Sequence, residues 1–585
     1  MNLAPDIPRA EYPRPLLVRD RWLNLNGAWR FAVDADNVGR REGWQKRELP
    51  GTAVIQVPFA PNSAASGIHD CPTHGIIWYQ RAFEIPDSWL SGSCRLRLGA
   101  ADYKTQVFMN GQFVGEHRGG YAAFAFELRR YLQPGKNHIS IRIEDSLSWT
   151  QPRGKQAGTT RWPIDYDGVM GIWQTVWLEP VPAVSIESVC TRYDMQSGTL
   201  TCQVDLSQQV EGQLRVELRQ GDATVAEGVS EVILRAETRV TLSVDEPLLW
   251  SPDQPYLYDL KLTLETAQGE CDVVESYCGL REITIKEGML LLNQEPLYLR
   301  GVLDQGYFPQ GWYTATSDAD YQRDIELTQA MGFNCVRKHQ KAEDPRYLYW
   351  ADHLGLLVWA EMPSGRIFST ELVRALADEW ADLIVRDRGH PSVVTWVAFN
   401  ESWGVWHQSE RPEQRAFVES MVALTRTLDP SRPVVGNDGW EFSQGDLWTL
   451  HVYEEGDDLS DRVQQLIDDP GIAVHEGENG LGRRVGALPG TSVADLPILL
   501  TECGGFGFGA HGSEDFSYGE LPATTAELEA RIRSAIEVIR QTATLQGYVW
   551  TQLTDVQQEV NGLLYFDRSP KLPVTTLRDI FGDNR

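Results

Sequence analysis

A chain of 585 residues is too long for one ordinary hydrophobic core, so roughly two to four domains are expected. Its 42% hydrophobic and 23% charged content belongs to a folded globular protein and excludes a disordered one. With 53 Lys and Arg against 82 Asp and Glu, the net charge of −29 argues against a surface that tracks nucleic-acid phosphates and fits simple solubility.

The opening stretch, MNLAPDIPRAEYPRPLLVRD, has no charged start followed by an apolar run, so no secretory signal is expected. No stretch approaches the roughly 18 uncharged apolar residues that a membrane span requires. The eight cysteines stand singly, without CxxC spacing or an accompanying histidine cluster. That pattern predicts reduced thiols in a cytoplasmic protein, with no metal or other cofactor.

From Trp22 to about Pro182 the chain reads as short strands and turns: WYQRAFEI, CRLRLGAA, TQVFMNGQFVGEH, HISIRIED and WQTVWLEPV. Asn110-Gly111 between two such runs is a hairpin signal. Residues 1–182 are therefore assigned to a jelly-roll β-sandwich. Pro180 and Pro182 punctuate the next boundary, and 183–284 repeats the theme in LTCQVDL, GQLRVELRQ and LYDLKLTLET, as an immunoglobulin-like β-sandwich would.

After residue 285 strands and helices alternate. Eight strands are predicted: Leu297–Leu303, Phe333–Arg337, Leu356–Glu361, Val393–Asn400, Pro433–Asn437, Leu447–Tyr453, Pro497–Glu502 and Gly547–Leu553. One helix begins at Ser317, with Asp320 placed for a capping box, and stops at Gly332. Others cover ELVRALADEWADLIVRD, EQRAFVESMVALTRTL and AELEARIRSAIEVIRQTATL. This order predicts a (β/α)8 TIM barrel over 285–585, with a fifth-to-sixth connection that lacks a helical pattern.

Catalysis on such a barrel belongs at the C-terminal ends of its strands. Strand two ends in Arg337-Lys338-His339, strand three at Glu361, strand four in Asn400-Glu401, and strand seven in Thr501-Glu502; strand six carries His451 and Tyr453, and strand eight Trp550. A lone glutamate at a strand end is more often an ion-pair partner, and a lone histidine a satisfied barrel residue. Two glutamates on strands four and seven of one rim are harder to dismiss. Paired carboxylates suit glycosidic cleavage, which needs a proton donor to the leaving oxygen and a nucleophile or base opposite. The 20 Trp and 20 Tyr fit both sugar binding and a β-rich core.

RDRGHPSVVTWVAFNES, at 386–402, resembles the acid/base segment of glycoside hydrolase family 2, the family of β-galactosidases, β-glucuronidases and β-mannosidases. LNGAWRF, NGQFVGEHRGGYAAF and GIWQTVWLEP resemble its N-terminal sugar-binding domain, and YLRGVL, MGFNCVRKH and ADHLGLLVWAEMP its early barrel strands. The resemblance implies Glu401 as acid/base, Glu502 (in LLTECG) as nucleophile, and Asn400 as the holder of the sugar 2-hydroxyl. It also implies Tyr453 beside the nucleophile, Trp550 as a platform, Asp165 as a sugar-binding residue from the N-terminal domain, and His390 as the family histidine of the HP dipeptide, in a structural role. Asp304, Lys338, His339, His451 and Asn561 complete the candidate substrate-binding set.

The departures bear on substrate. Where family β-glucuronidases carry Asn-x-Lys for the sugar carboxylate, this chain has Glu559-Val560-Asn561. Glu559 would repel a carboxylate, yet Lys338 and Lys341 would attract one if they face the pocket. The implied activity is a retaining exo-β-glycosidase of β-galactosidase type; a β-glucuronidase or furanosidase of the same family, a transglycosylase and a non-catalytic carbohydrate-binding protein are the alternatives. The expected partner is a carbohydrate, with neither nucleic acid nor membrane, and a homo-oligomer stays open.

Overall fold

A computed structural model describes residues 7–68, 70–475, 483–509 and 515–582. The N-terminal part is a sandwich of two antiparallel sheets. One holds four strands, among them Ser93–Leu98 and Val176–Val181; the other holds six, among them Gly75–Glu84 and Lys136–Asp145. Alternation puts Leu96 and Leu98 of the first sheet and Ile139, Ile141 and Ile143 of the second into one shared core. Asn110 (φ 50°) and Gly111 (φ 77°) form the turn between Lys104–Met109 and Gln112–Arg118. Positive φ at both central residues matches the strand twist, and Asn-Gly reaches it at little cost.

The central part is a five-stranded antiparallel structure. Its strands Thr199–Gln220 and Ala223–Ser243 are long enough to serve both faces: the first pairs Ile186–Asp194 through its early half and Tyr258–Thr266 through its late half. Leu200, Cys202 and Val204 thereby meet Leu214, Val216, Leu260 and Leu262 in a core of their own.

The barrel strands are β1 (Leu299–Asp304), β2 (Cys335–Lys338), β3 (Leu357–Glu361), β4 (Val393–Val397), β5 (Val434–Val435), β6 (Trp448–His451), β7 (Ile498–Gly504) and β8 (Leu545–Thr551). All pairs are parallel, in the order β5-β4-β3-β2-β1-β8-β7-β6, which leaves the ring open only between β5 and β6. All eight predicted strands are present. The helices are α1 (Asp318–Ala330), α2 (Pro345–Leu354), α3 (Thr370–Asp387), α4 (Pro412–Leu428), α5 (Asp457–Asp468), α6 (Thr525–Gln541) and α7 (Val574–Phe581). No helix joins β5 to β6. Ser317 and Asp320 form the expected capping box of α1, and α6 buries Leu528, Ile532, Ala535, Ile536 and Ile539 along one stripe.

Two seams hold the parts together. Arg281 of the central sandwich donates to the carbonyls of Pro391 and Val393 at the start of β4. There His390 Nδ1 lies 2.6 Å from Asp352, which also accepts from Tyr277 at 2.7 Å, so His390 is part of the seam. The N-terminal segment 146–168 reaches over the barrel mouth instead. Arg153 and Gly154 donate backbone N–H groups to Ser364 O, Arg366 and Ile367 donate to Trp149 O, and Gln558 donates its side-chain amide to Asp165 O. No described helix is long and apolar enough to cross a membrane, and all eight cysteines are free thiols.

Candidate active site

Strand alternation decides which polar residues enter the barrel. On β2, Cys335 and Arg337 point inward while Val336 and Lys338 face the helices; on β8, Tyr548 and Trp550 face outward and Thr551 inward. Arg337, fully buried, is the hub. Its guanidinium reaches Glu361 at 2.7 Å, Asp438 at 2.6 Å, Glu502 Oε1 at 3.1 Å and Asn400 Oδ1 at 2.6 Å. Burial opposes its charge, but Asp438, Glu361 and Glu502 together hold its pKa above the ordinary arginine value.

Glu401 lies just past the end of β4. It and Ser402 are both left-handed (φ 50° and 58°), an unfavourable backbone for non-glycine residues. Glu401 N–H donates to Asp438 O at 2.9 Å and Ser402 N–H to Asn437 Oδ1 at 2.8 Å, which pin the turn. The apolar strand thus bends sharply at Asn400-Glu401 and keeps the carboxylate at the mouth. Asn400 Oδ1 accepts from Arg337, while its buried Nδ2 has no partner among the described residues. A buried amide donor left empty is costly unless something fills it.

His451 stands between acids. Nδ1 lies 2.9 Å from Glu401 Oε1 and 3.6 Å from Glu502 Oε2, and Nε2 lies 3.0 Å from Asp438. Burial works against its charge, but Glu502, Asp438 and Glu401 together push its pKa up to about 10, so the ring is an imidazolium donating from both nitrogens. Asp438 is held well below the carboxylate range: burial raises it, but Arg337 and His451 outweigh that. Glu502 accepts from Arg337 on one oxygen and from Tyr453 OH, at 2.6 Å, on the other. Tyr453 also lies 3.2 Å from Thr551 Oγ1 and stacks on Tyr518 with ring centroids 3.7 Å apart.

Glu401, His451 and Glu502 each bring an atom within 4.8 Å of the others, so the two carboxylates face each other across the space of one small group. The same three side chains also stand at a spacing that would suit a metal ion. His339 sits beside this centre, 3.2 Å from both Arg337 and Glu361, and burial together with Arg337 keeps its ring neutral.

Other candidates are placed differently. Asp304 and Lys338 pair with each other at 2.5 Å on the helix-facing side of their strands, and Lys338 also meets Glu343 at 2.7 Å. Lys341 is bound by Glu343 and the carbonyls of Gly306 and Tyr313. Neither lysine faces the glutamates, because the alternation that turns Arg337 inward turns Lys338 out. Trp550 is no platform either: it packs outward on Phe581 of α7 and on Phe506, and the next residue, Thr551, is the one that reaches Tyr453. Asn561 has both amide ends engaged, by Gln552 at 2.7 Å and Glu559 at 3.1 Å. Asp165 is fully buried in an ion pair with Arg366, whose guanidinium lies 3.9 Å from the Trp403 ring centroid and 4.2 Å from that of Trp162.

Sequence reasoning missed three groups. Asp438 lies three residues past β5 and was detectable as one more polar strand end. Tyr518 gave no signal of its own. Lys155 stands ten residues before Asp165, in the segment that crosses the mouth, and only the fold brings it near Glu559.

Three family profiles match consecutive stretches between residues 22 and 469. "Glycosyl hydrolases family 2, sugar binding domain" covers residues 22–182, "Glycosyl hydrolases family 2" covers 184–281, and "Glycosyl hydrolases family 2, TIM barrel domain" covers 283–469. A β-glucuronidase from Paenibacillus borealis is 28% identical over 72% of this chain and 74% of its own length. A β-galactosidase from Thermoanaerobacter pseudethanolicus is 26% identical over 71% of this chain; the match spans 53% of that protein, so this chain corresponds to about half its length. In structure, the β-glucuronidase from Ruminococcus gnavus in complex with D-glucuronic acid is similar at a TM-score of 0.79 and 20% identity, over 98% of this chain and 100% of that one.

Proposed function

The chain belongs to glycoside hydrolase family 2, and from that premise we propose that it is a retaining exo-β-glycosidase acting by double displacement. The observation that carries this reading is the distance between the Glu401 and Glu502 carboxylates, no more than 4.8 Å between their nearest oxygens. Retaining enzymes keep their carboxyl groups about 5–5.5 Å apart, whereas inverting ones leave about 6.5–9.5 Å for a water.

In this reading Glu502, held by Arg337 and Tyr453, attacks the anomeric carbon and forms an ester. Glu401 gives its proton to the departing glycosidic oxygen. Glu401 then removes a proton from water, which attacks the anomeric carbon and frees Glu502. Asn400 Nδ2 supplies a donor for the 2-hydroxyl, and the segment 146–168 walls one side of the mouth, as an enzyme that takes terminal residues requires.

The favoured substrate is a neutral β-glycoside of galactoside type. Glu559 and Asn561 occupy the place of a carboxylate grip, and Lys338 and Lys341 are engaged elsewhere. The similarity to β-glucuronidases favours a β-glucuronide as the second reading. Hydrolysis of 4-nitrophenyl β-galactoside, β-glucoside, β-mannoside, β-glucuronide and β-galactofuranoside tests both. Highest kcat/KM on the galactoside supports the first; highest on the glucuronide overturns it in favour of the second, and no turnover of any overturns both.

A further inference from the structure

Lys155 belongs to the N-terminal sandwich, yet its ammonium lies at the barrel mouth. It is 5.9 Å from the ring centroid of Trp403 and 5.7 Å from that of Tyr166, and its charge acts on both His339 and Asp165. The residue is 5% exposed. Its nearest anion is Glu559 Oε2 at 3.8 Å, beyond hydrogen-bond reach, and among the described residues the ammonium makes no hydrogen bond. An ammonium has three donors, and those of Lys155 have no protein acceptor within hydrogen-bond reach among the described residues. Every other buried cation at the mouth is hydrogen-bonded to a carboxylate: Arg337 to Glu361, Arg366 to Asp165, and His451 to Asp438.

Glu559 is the complement. It accepts from Tyr166 OH on one oxygen and from Asn561 Nδ2 on the other, and a carboxylate has capacity for further donors. The pair therefore offers an empty donor beside an acceptor with room. A hydroxyl satisfies both at once, accepting from Lys155 and donating to Glu559. A carboxylate would satisfy Lys155 but would meet Glu559 head on. The formal charges lean the same way. The cations Lys155, Arg337, Arg366 and His451 face the anions Asp165, Glu361, Asp438, Glu502 and Glu559, an excess of one negative charge before Glu401 is counted.

We propose that Lys155 and Glu559 form a donor–acceptor pair that binds one hydroxyl of a neutral sugar, on the side of the ring away from the anomeric carbon, and discriminates against an acidic sugar. This rests on the retaining-glycosidase reading and adds to it the group that selects the sugar. The position bound is the 3-, 4- or 6-hydroxyl, since Asn400 takes the 2-hydroxyl.

The test compares kcat/KM for 4-nitrophenyl β-galactoside with its 2-, 3-, 4- and 6-deoxy analogues, in wild type, Lys155→Met and Asn400→Ala. Ratios between substrates on one preparation do not depend on how much of a variant folds. In wild type, one of the 3-, 4- and 6-deoxy analogues should lose about 100-fold relative to the parent, as loss of a hydrogen bond to a charged group does. In Lys155→Met that penalty should shrink below about 5-fold while the 2-deoxy penalty persists; Asn400→Ala should do the reverse. Glu559→Gln should raise the glucuronide-to-galactoside ratio at least about 10-fold. Penalties in Lys155→Met equal to wild type, or all reduced alike, overturn the proposal, as does an unchanged ratio in Glu559→Gln. A wild type that cleaves the glucuronide but not the galactoside overturns the neutral-sugar assignment while sparing the double displacement. A wild type that cleaves no glycoside overturns the underlying reading, and this one with it.

Discussion

Removing the Glu401 carboxyl should split substrates by leaving group. The side chain is 17% exposed and its Oε1 lies 2.9 Å from His451, which keeps Asp438 as a partner when Glu401 is cut to alanine. The buried charges therefore stay compensated, and Glu401→Ala should fold. A positioned general acid contributes about 10²–10⁴-fold, equivalent to roughly 3–5 kcal/mol of barrier. That whole factor should be lost in kcat/KM for a methyl or phenyl glycoside, whose leaving oxygen needs a proton. A 2,4-dinitrophenyl glycoside needs none and should lose less than about 10-fold in kcat/KM. Its kcat should still fall, because hydrolysis of the ester with Glu502 needs Glu401 as base. Azide, which requires no base, should restore kcat and give the β-glycosyl azide. Equal losses for both leaving groups, or an α-azide, would refute the role of Glu401.

Glu502→Gln should reduce turnover of every glycoside below detection, with binding of a sugar inhibitor preserved by calorimetry. His451 has a folded pKa of about 10, above its unfolded value of about 6.5; its contribution to stability is complete below about 6.5 and is lost as pH rises through 10. The Tm of the wild type should accordingly fall between pH 7 and 10, more steeply than that of His451→Gln. Asp165→Ala leaves Arg366, 5% exposed, without its counter-ion and should cost about 3–5 kcal/mol, seen as a lower Tm that Asp165→Ala/Arg366→Met partly recovers.

The fold was legible because its signals are periodic and local. Alternation, turn residues and helix caps locate eight strands and the helices α1, α3, α4 and α6. The helices α2, α5 and α7 escaped notice because they are short; for α2 the signals were present, Asp344 as N-cap, Pro345 at the first position and Gly355 as C-cap, around only ten residues. In the site, Glu401, Glu502, Asn400, His451 and Tyr453 were legible as polar residues at strand ends, and the structure brings them together. Lys338 and Trp550 misled for one reason. A strand turns successive side chains to opposite faces, and sequence does not say which residue of Arg337-Lys338 or Trp550-Thr551 lies inside. A slip of one position exchanges a pocket residue for one that packs on a helix. Asp165, Lys155 and Glu559 meet only through docking of the N-terminal segment on the barrel, a contact between residues some 400 positions apart in the chain that no local pattern encodes.

The separation of Glu401 and Glu502 has a direct chemical consequence. Proton NMR of the sugar released in the first minutes from an aryl β-glycoside, before mutarotation, reads the stereochemistry of cleavage. Two successive displacements at the anomeric carbon should give the β-anomer first. An α-anomer appearing first would mean that water attacks directly, and Glu502 could not be the nucleophile.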